Sequence, residues 1–501
     1  SKDFLAAIES DISDVEFYAE IGKYLSSFND AHVGFSFPST AISTIHLEIR
    51  EFDNKFYIYD IFDPSIENIH IGDEVLEMDG TPTAETRDEL LLYLGKGNEF
   101  TSKRIATRYL TYRRQEVLPF QPNAEEITLR LKPQSGGEPY DATLKWHKSG
   151  YEFAEFNDPG IDLESNKALR MANNDTANAI SRYSTFMYTN YNLEPEYFIG
   201  YTTPILPLGA TFVERKTAPY YSGVIQEEGK RIGFLRIHTY SRSMIDLNKA
   251  LDEMEEEISY FEETTDALII DQTANPGGDG CHVINMASLF MDKPFKAGGH
   301  RIRANRTQLN YVEKMLQEND LSPENEKAVI IIIDKIREAM ATGELLTEPL
   351  PLCGFSDTYD PYITWEGKQI NYTKPVLVLI DELSASGGDL FPAIMQDNNR
   401  ATLFGHRTVG AGGAVEGFEQ RIGYSEITFR YTIGMLWRDV LVDIPGFGET
   451  NYLENTGVWP EIEYKITYDD FMSDFQFYRD AMIEAVLSLI DNKVKNEEGD
   501  E

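Results

Sequence analysis

The spacing of apolar residues changes period along this chain. Residues 3–28 place Phe4, Ile8, Ile12, Val15, Tyr18, Ile21 and Leu25 at about helical spacing with acidic residues between them, which predicts one or two amphipathic helices. From Ile45 to about Trp146 the pattern shortens to the alternation of strands, in IHLEIREF, KFYIYDIF, ITLRLKP and DATLKW, around a helix near Glu85–Leu94. Residues 150–227 are rich in Asn, Tyr and Pro and read as a connector. From Arg231 the order is strand (RIGFLRIHTY), helix (Met244–Phe261), strand (ALIIDQT), Gly-rich turn and helix. A charged helical excursion over 306–348 follows, and then a β-branched strand, Val376–Ile380, a tight turn, and a helix with Leu390, Ile394 and Met395 on one face. Alternating strands and helices imply an α/β domain, a mostly parallel sheet covered by helices. A last amphipathic helix is expected over Tyr468–Lys493, ahead of an acidic tail, Asn496–Glu501, expected to be disordered. The expected division is a helical segment at 1–40, a β-rich module at 41–149, a connector at 150–227, the α/β core at 228–495 and the tail at 496–501.

Composition narrows the partners. The 501 residues carry 84 acidic and 45 basic side chains, a formal net charge of −39, which repels phosphate backbones and anionic lipid. Nucleic acid is therefore not an expected partner. No run approaches the roughly 20 apolar residues of a membrane span. The opening SKDFLAAIES lacks a signal pattern, which leaves room for a leader removed upstream. Cys281 and Cys353 have no CxxC or metal-type spacing, so neither a disulfide framework nor a zinc site is indicated. Lys103, Arg104, Arg108, Arg113 and Arg114 form a basic run that reads first as a solvated face and second as an attraction for acidic substrate segments.

Two turns carry candidate chemistry. In Ser384-Ala385-Ser386-Gly387-Gly388 the hydroxyl of Ser386 stands where a strand gives way to a helix, so unpaired N–H groups and the helix dipole favour negative charge formed there. An ordinary helix-capping serine would read the same way. In Asn275-Pro276-Gly277-Gly278 paired glycines after a buried strand allow the backbone to approach a ligand, although a plain loop has the same composition. A serine nucleophile needs a base, and His32, in the polar turn NDAHVGFSFP, is the first choice. His282 and His406 are rivals, while His46 and His147 are placed on alternating strands of the β-rich module.

Taken in order, AHVGFSF, IHIGDEVLEMDGTP, RIGFLRIHTY, LIIDQTANPGG, IDELSASGGDLFPAIMQDNNRATLFGHRTVGAGG and ENTGVWPEI resemble the carboxy-terminal processing (tail-specific) serine peptidases. The resemblance implies a crotonase-like α/β protease core with an inserted PDZ-like module, to which IHIGDEVLEMDGTP is similar. Tail-specific members pair the serine with a lysine, but the corresponding position here is Ala411, so a Ser/Lys dyad is excluded. The sequence around it is similar instead to the branch of the tricorn core protease and the chlamydial protease-like activity factor, which uses a histidine and an acid. The resemblance then assigns Ser386 as nucleophile, His32 as base and Glu454, in LENTGVWPEI, as acid, with residues 440–452 read as an insertion. It places the oxyanion on the N–H of Gly387 and of Gly277 or Gly278, and it requires no metal and no organic cofactor. It implies a protein or peptide substrate and favours a periplasmic or secreted protein, with homodimerisation left open. The alternatives are an inactive, peptide-binding scaffold and, more distantly, an acyl-CoA enzyme on the same core.

Overall fold

The computed structural model describes residues 2–8, 12–37, 39–152, 200–318, 321–415 and 428–499, so most of the expected connector lies outside the described residues. The chain divides into two compact units, one of 1–198, 417–431 and 466–473, the other of 199–416, 432–465 and 474–501.

The first unit opens with helices Lys2–Ile8 and Asp14–Ser26. The second starts at a capping box, in which the Ser13 N–H donates to Glu16 Oε2 at 2.8 Å and the Glu16 N–H donates to Ser13 Oγ at 3.3 Å. It packs Tyr18 and Ile21 against Phe37. An antiparallel sheet follows in the order Leu47–Phe52, Lys55–Ile61, Glu74–Met78, Glu126–Lys132 and Tyr140–Lys145. Its inward face, including Ile49, Ile58, Val75, Leu129 and Leu131, is the core of the unit. The helix Thr83–Leu94 matches its expectation. A further helix, Glu99–Arg108, is announced only by its cap, since the Asn98 side chain accepts the N–H groups of Phe100 and Thr101. It takes up much of the basic run. That run is no solvated face: Arg114 pairs with Glu116, and the Arg113 guanidinium lies 5.3 Å from the centre of the Trp146 ring. Nor is His46 on a strand. It has φ 57 in the break between strands Ile42–Thr44 and Leu47–Phe52. His147 opens a strand, His147–Ser149, of a separate three-stranded sheet with Ile42–Thr44 and Tyr112–Arg114.

The second unit is built on a seven-stranded sheet ordered Val213–Lys216, Tyr221–Glu227, Lys230–Arg236, Ala267–Asp271, Val376–Ile380, Thr402–Gly405 and Ile462–Glu463. The last five run parallel. Ala267–Asp271 and Val376–Ile380 are buried along their whole length, as central parallel strands with both faces covered must be. Asp271 is registered opposite Leu379, so the loops that leave these two strands start side by side. The helix expected at Met244–Phe261 runs over Leu247–Thr264, because the Asp246 carboxylate caps Asn248 and Lys249. The excursion consists of helices Arg306–Glu318 and Pro323–Thr342, the latter started by Ser322 and Pro323 and stopped by Gly343 at φ 79.

Three further expectations are corrected or sharpened, the last of them at a helix whose first part, 466–473, belongs to the first unit. Cys281 and Cys353 form a disulfide, with Cα atoms 5.2 Å apart, which spacing concealed because the excursion carries the chain away before it returns. Residues 440–452 form a hairpin in a second sheet, with Val442 opposite Thr450 and Asp443 opposite Glu449. The last helix is two helices, Tyr468–Met472 and Gln476–Gly499, separated by Asp474 and Phe475 at φ 53 and 58. The second extends through most of the expected tail. Among the described residues no helix is long and apolar enough to cross a membrane.

Candidate active site

The site grows from the two loops that leave the central strands of the second unit. At the start of the first loop, Arg236 and Asp271 form a wholly buried ion pair at 2.9 Å, and the Thr273 N–H and hydroxyl donate to the same Asp271 oxygen at 3.0 and 2.8 Å. Asp381, at the start of the second loop, reaches across: its Oδ1 accepts the Ala274 N–H at 2.7 Å and the Ser384 hydroxyl at 2.8 Å. Burial, and then the neighbouring Glu382 charge, raise the Asp381 carboxyl above its ordinary value. Two further bonds join the loops, from the Ala385 N–H to the Asn275 carbonyl at 2.8 Å and from Gln272 Nε2 to the Gly388 carbonyl at 2.9 Å.

This clamp presses Gly277 against the serine turn. A Cβ on Gly277 would fall 2.4 Å from the Gly387 nitrogen and 2.8 Å from the Ser386 Cβ, so no other residue fits there without moving the turn. Ser386 itself has φ 56 and ψ −109, a conformation that favours glycine and that a capping serine does not need. It immediately precedes the helix Gly387–Asp397, whose first N–H groups face the turn. The Gly277 N–H is occupied, donating to Asn275 Oδ1 at 2.8 Å.

Asp389, in the first turn of that helix, connects the serine to the rest of the unit. It is wholly buried. Its Oδ2 accepts the Ser386 N–H at 2.6 Å and the Ala411 N–H at 3.0 Å, and its Oδ1 accepts the Gly410 N–H at 2.8 Å and the Thr408 hydroxyl. Burial pushes its carboxyl up to about 6 against the pull of those hydrogen bonds. The loop it holds, Thr408–Gly412, lies against the loop carrying Glu454: the Asn455 N–H donates to the Gly410 carbonyl at 2.9 Å, and a Cβ on Gly412 would fall 2.5 Å from the Glu454 nitrogen.

Residues 231–446 match the model of peptidase family S41, and residues 43–156 match that of a PDZ domain. This region belongs to peptidase family S41. The chain is a serine peptidase carrying a PDZ domain, and its substrate is a peptide or protein. A protein of Chlamydia pneumoniae is 28% identical, the match covering 95% of this chain and 83% of the relative, and one of Chlamydia muridarum is 27% identical over 94% and 84%. Among solved structures, mature CPAF superposes with a TM-score of 0.75 at 24% identity, covering 98% of this chain and 91% of that one. Mature CPAF complexed with lactacystin gives 0.74 at 23%, covering 98% and 92%. At such identities the likeness speaks to the fold.

The second unit thus brings together Ser386, Gly387, Gly277 and Gly278, and it sets the backbone of Glu454 against Gly412. His32 belongs to the first unit, in the turn after helix Asp14–Ser26, where Asp30 Oδ1 accepts its N–H at 2.8 Å and that of Val33 at 3.2 Å. Of the rival bases, His282 is buried, with its Nε2 3.2 Å from the Tyr220 hydroxyl, and burial pushes it down to about 4. The residues that sequence reasoning missed are the clamps. Asp381, Asp389 and Gln272 carry no role in the sequence reading, and Asn275 enters it only as the first residue of a Gly-rich turn. Their signal was present, since polar side chains directly after two wholly apolar strands must find partners when buried.

Proposed function

We propose that this S41 peptidase is an endopeptidase working through a Ser-His-Glu centre on a crotonase-like core, with the PDZ-like module expected at 41–149 ahead of that core. Ser386 Oγ attacks the scissile carbonyl carbon, and His32 takes the hydroxyl proton and returns it to the leaving amine. Water then attacks the acyl-enzyme with the same histidine as base, releasing the acid and restoring the hydroxyl. Glu454 supports the imidazolium formed in both halves. The oxyanion is held by the N–H of Gly387 and, because the Gly277 N–H is engaged with Asn275, by that of Gly278 rather than Gly277. Each such donor is worth about 3–4 kcal/mol of transition-state stabilisation. No metal or organic cofactor enters the reaction. The resemblance favours a periplasmic or secreted protein, and a homodimer is compatible with it.

The observation that carries this reading is the strained Ser386 turn, pressed against the Gly277–Gly278 turn and fixed on its other side by the wholly buried Asp389 carboxylate. The test is treatment with a fluorophosphonate probe followed by mass spectrometry. A single adduct on Ser386 is expected. No adduct, with Ser386 accessible to the probe, would reject the catalytic reading in favour of the peptide-binding scaffold.

A further inference from the structure

Away from the peptidase site, the first unit gathers His46, Asp63 and His147 from three separate stretches of chain, so that one ligand atom of each lies within 4.8 Å of the other two. The two imidazoles stack, with ring centres 4.1 Å apart and planes 16° from parallel. The backbone creates this arrangement. His46 is held at φ 57, its N–H donating to Thr44 Oγ1 at 3.1 Å and its carbonyl accepting the Phe62 N–H at 2.8 Å, which brings the neighbouring Asp63 alongside. His147 is registered opposite Thr44, two residues before His46. Asp63 Oδ1 accepts the Ser65 N–H at 2.9 Å, and Oδ2 stands 4.0 Å from His46 Nδ1. That gap is too long for a hydrogen bond.

Two imidazoles and a carboxylate are the nitrogen and oxygen donors that zinc and similar divalent transition ions select, and three protein ligands with one side open leave a fourth position for water. In a tetrahedral site with bonds of about 2.1 Å, ligand atoms stand roughly 3.4 Å apart, so closure here requires about an ångström of side-chain adjustment. His147 is exposed and can supply it, whereas His46 and Asp63 are half-buried and preset.

We propose that His46, Asp63 and His147 form a binding site for zinc or a similar divalent transition ion. The ion fastens the strand His147–Ser149 to the break after Ile42–Thr44 and to the end of the strand Lys55–Ile61. It binds the folded unit and not the unfolded chain, so it stabilises by mass action.

The experiment is calorimetric titration of the full chain with zinc chloride alone, in a His32→Ala background that removes the candidate catalytic imidazole as a competing ligand, with thermal melts in parallel. One zinc per chain is expected, with the affinity falling at least tenfold in both His147→Ala and Asp63→Asn. Saturating zinc should raise the melting midpoint of the parent and leave that of His147→Ala unmoved. Because His147 is exposed, its truncation leaves the fold intact, as far-ultraviolet circular dichroism would verify. Absence of zinc binding, or binding that neither substitution weakens, overturns the proposal.

Discussion

The Asp389 carboxylate accepts the Ser386 backbone N–H at 2.6 Å, and so fixes the nucleophile's turn to the loop that carries Gly410 and Ala411. The position at which tail-specific relatives are expected to place a lysine is, in this chain, a backbone donor to a buried acid. Asp389→Asn tests what that bond does. Whichever way the amide turns, its NH2 faces at least one backbone N–H that the carboxylate satisfied, at a cost of about 1–3 kcal/mol for each donor left unmet. The variant should lose that much stability in urea and at least 100-fold in kcat/KM; wild-type values for both would show the carboxylate to be incidental.

The same group makes a pH prediction. Its carboxyl is raised from an ordinary value of 3.8 to about 6, chiefly by burial. A carboxyl raised on folding contributes stability that is fully present below the unfolded pKa and is lost as pH rises through the folded one. The protonated acid can donate to the Thr408 hydroxyl and still accept from Gly410, which an amide cannot do. The stability advantage of wild type over Asp389→Asn should therefore be largest near pH 4 and shrink towards pH 6, then level. Denaturant midpoints across that range measure it, and a gap that widens with pH would show the hydrogen bonds to outweigh burial.

Ser386→Ala should abolish hydrolysis, because the nucleophile is removed. Its effect on stability should be small, and Ser386→Gly should be equally inactive yet more stable than the alanine variant by about 1 kcal/mol. At φ 56 and ψ −109 glycine relieves strain that any side chain keeps. An alanine variant as stable as the glycine one would mean the turn is unstrained.

The strand-turn-helix around Ser386 is legible in the sequence because Val376–Ile380 is a continuous apolar run, as a parallel strand buried on both faces requires, and the small residues 384–388 follow a few positions on. The excursion at 306–348 is legible as a charged helical stretch, while the break and stop set by Ser322, Pro323 and Gly343 are supplied by the structure. The clamps are not. Asp381 and Asp389 bond chiefly to backbone N–H groups of Ala274, Gly410 and Ala411, and no residue type announces such a partner. The disulfide and the left-handed His46 depend likewise on how distant segments return. His32 stands out on its polar turn, although a histidine there carries no periodic signal, and only the resemblance separates it from His282 and His406.

His32→Ala should reduce kcat/KM nearly as far as Ser386→Ala, and the double variant should be little worse than either, because base and nucleophile act as a unit. His282→Ala should stay within about tenfold of wild type, its ring being engaged with the Tyr220 hydroxyl. The reverse ranking would move the base to the helix Gly280–Ser288 and leave the N-terminal helices a structural role.

The pH profile of kcat/KM separates a histidine base from the lysine of tail-specific relatives. Acylation needs neutral imidazole, so activity should rise through a single ionisation at about pH 6–7 before environmental shifts, whereas a lysine base would place that limb higher. A carboxylate beside the imidazole favours its protonated form and raises that limb. Glu454→Gln should therefore move the acidic limb to lower pH and also lower the plateau, since the imidazolium formed during attack loses its support. Both changes are needed. A lowered plateau with an unmoved limb would place Glu454 only in the packing of its loop against Gly410 and Gly412, and an unchanged profile would remove it from the site, leaving Glu382 as the next acid to substitute.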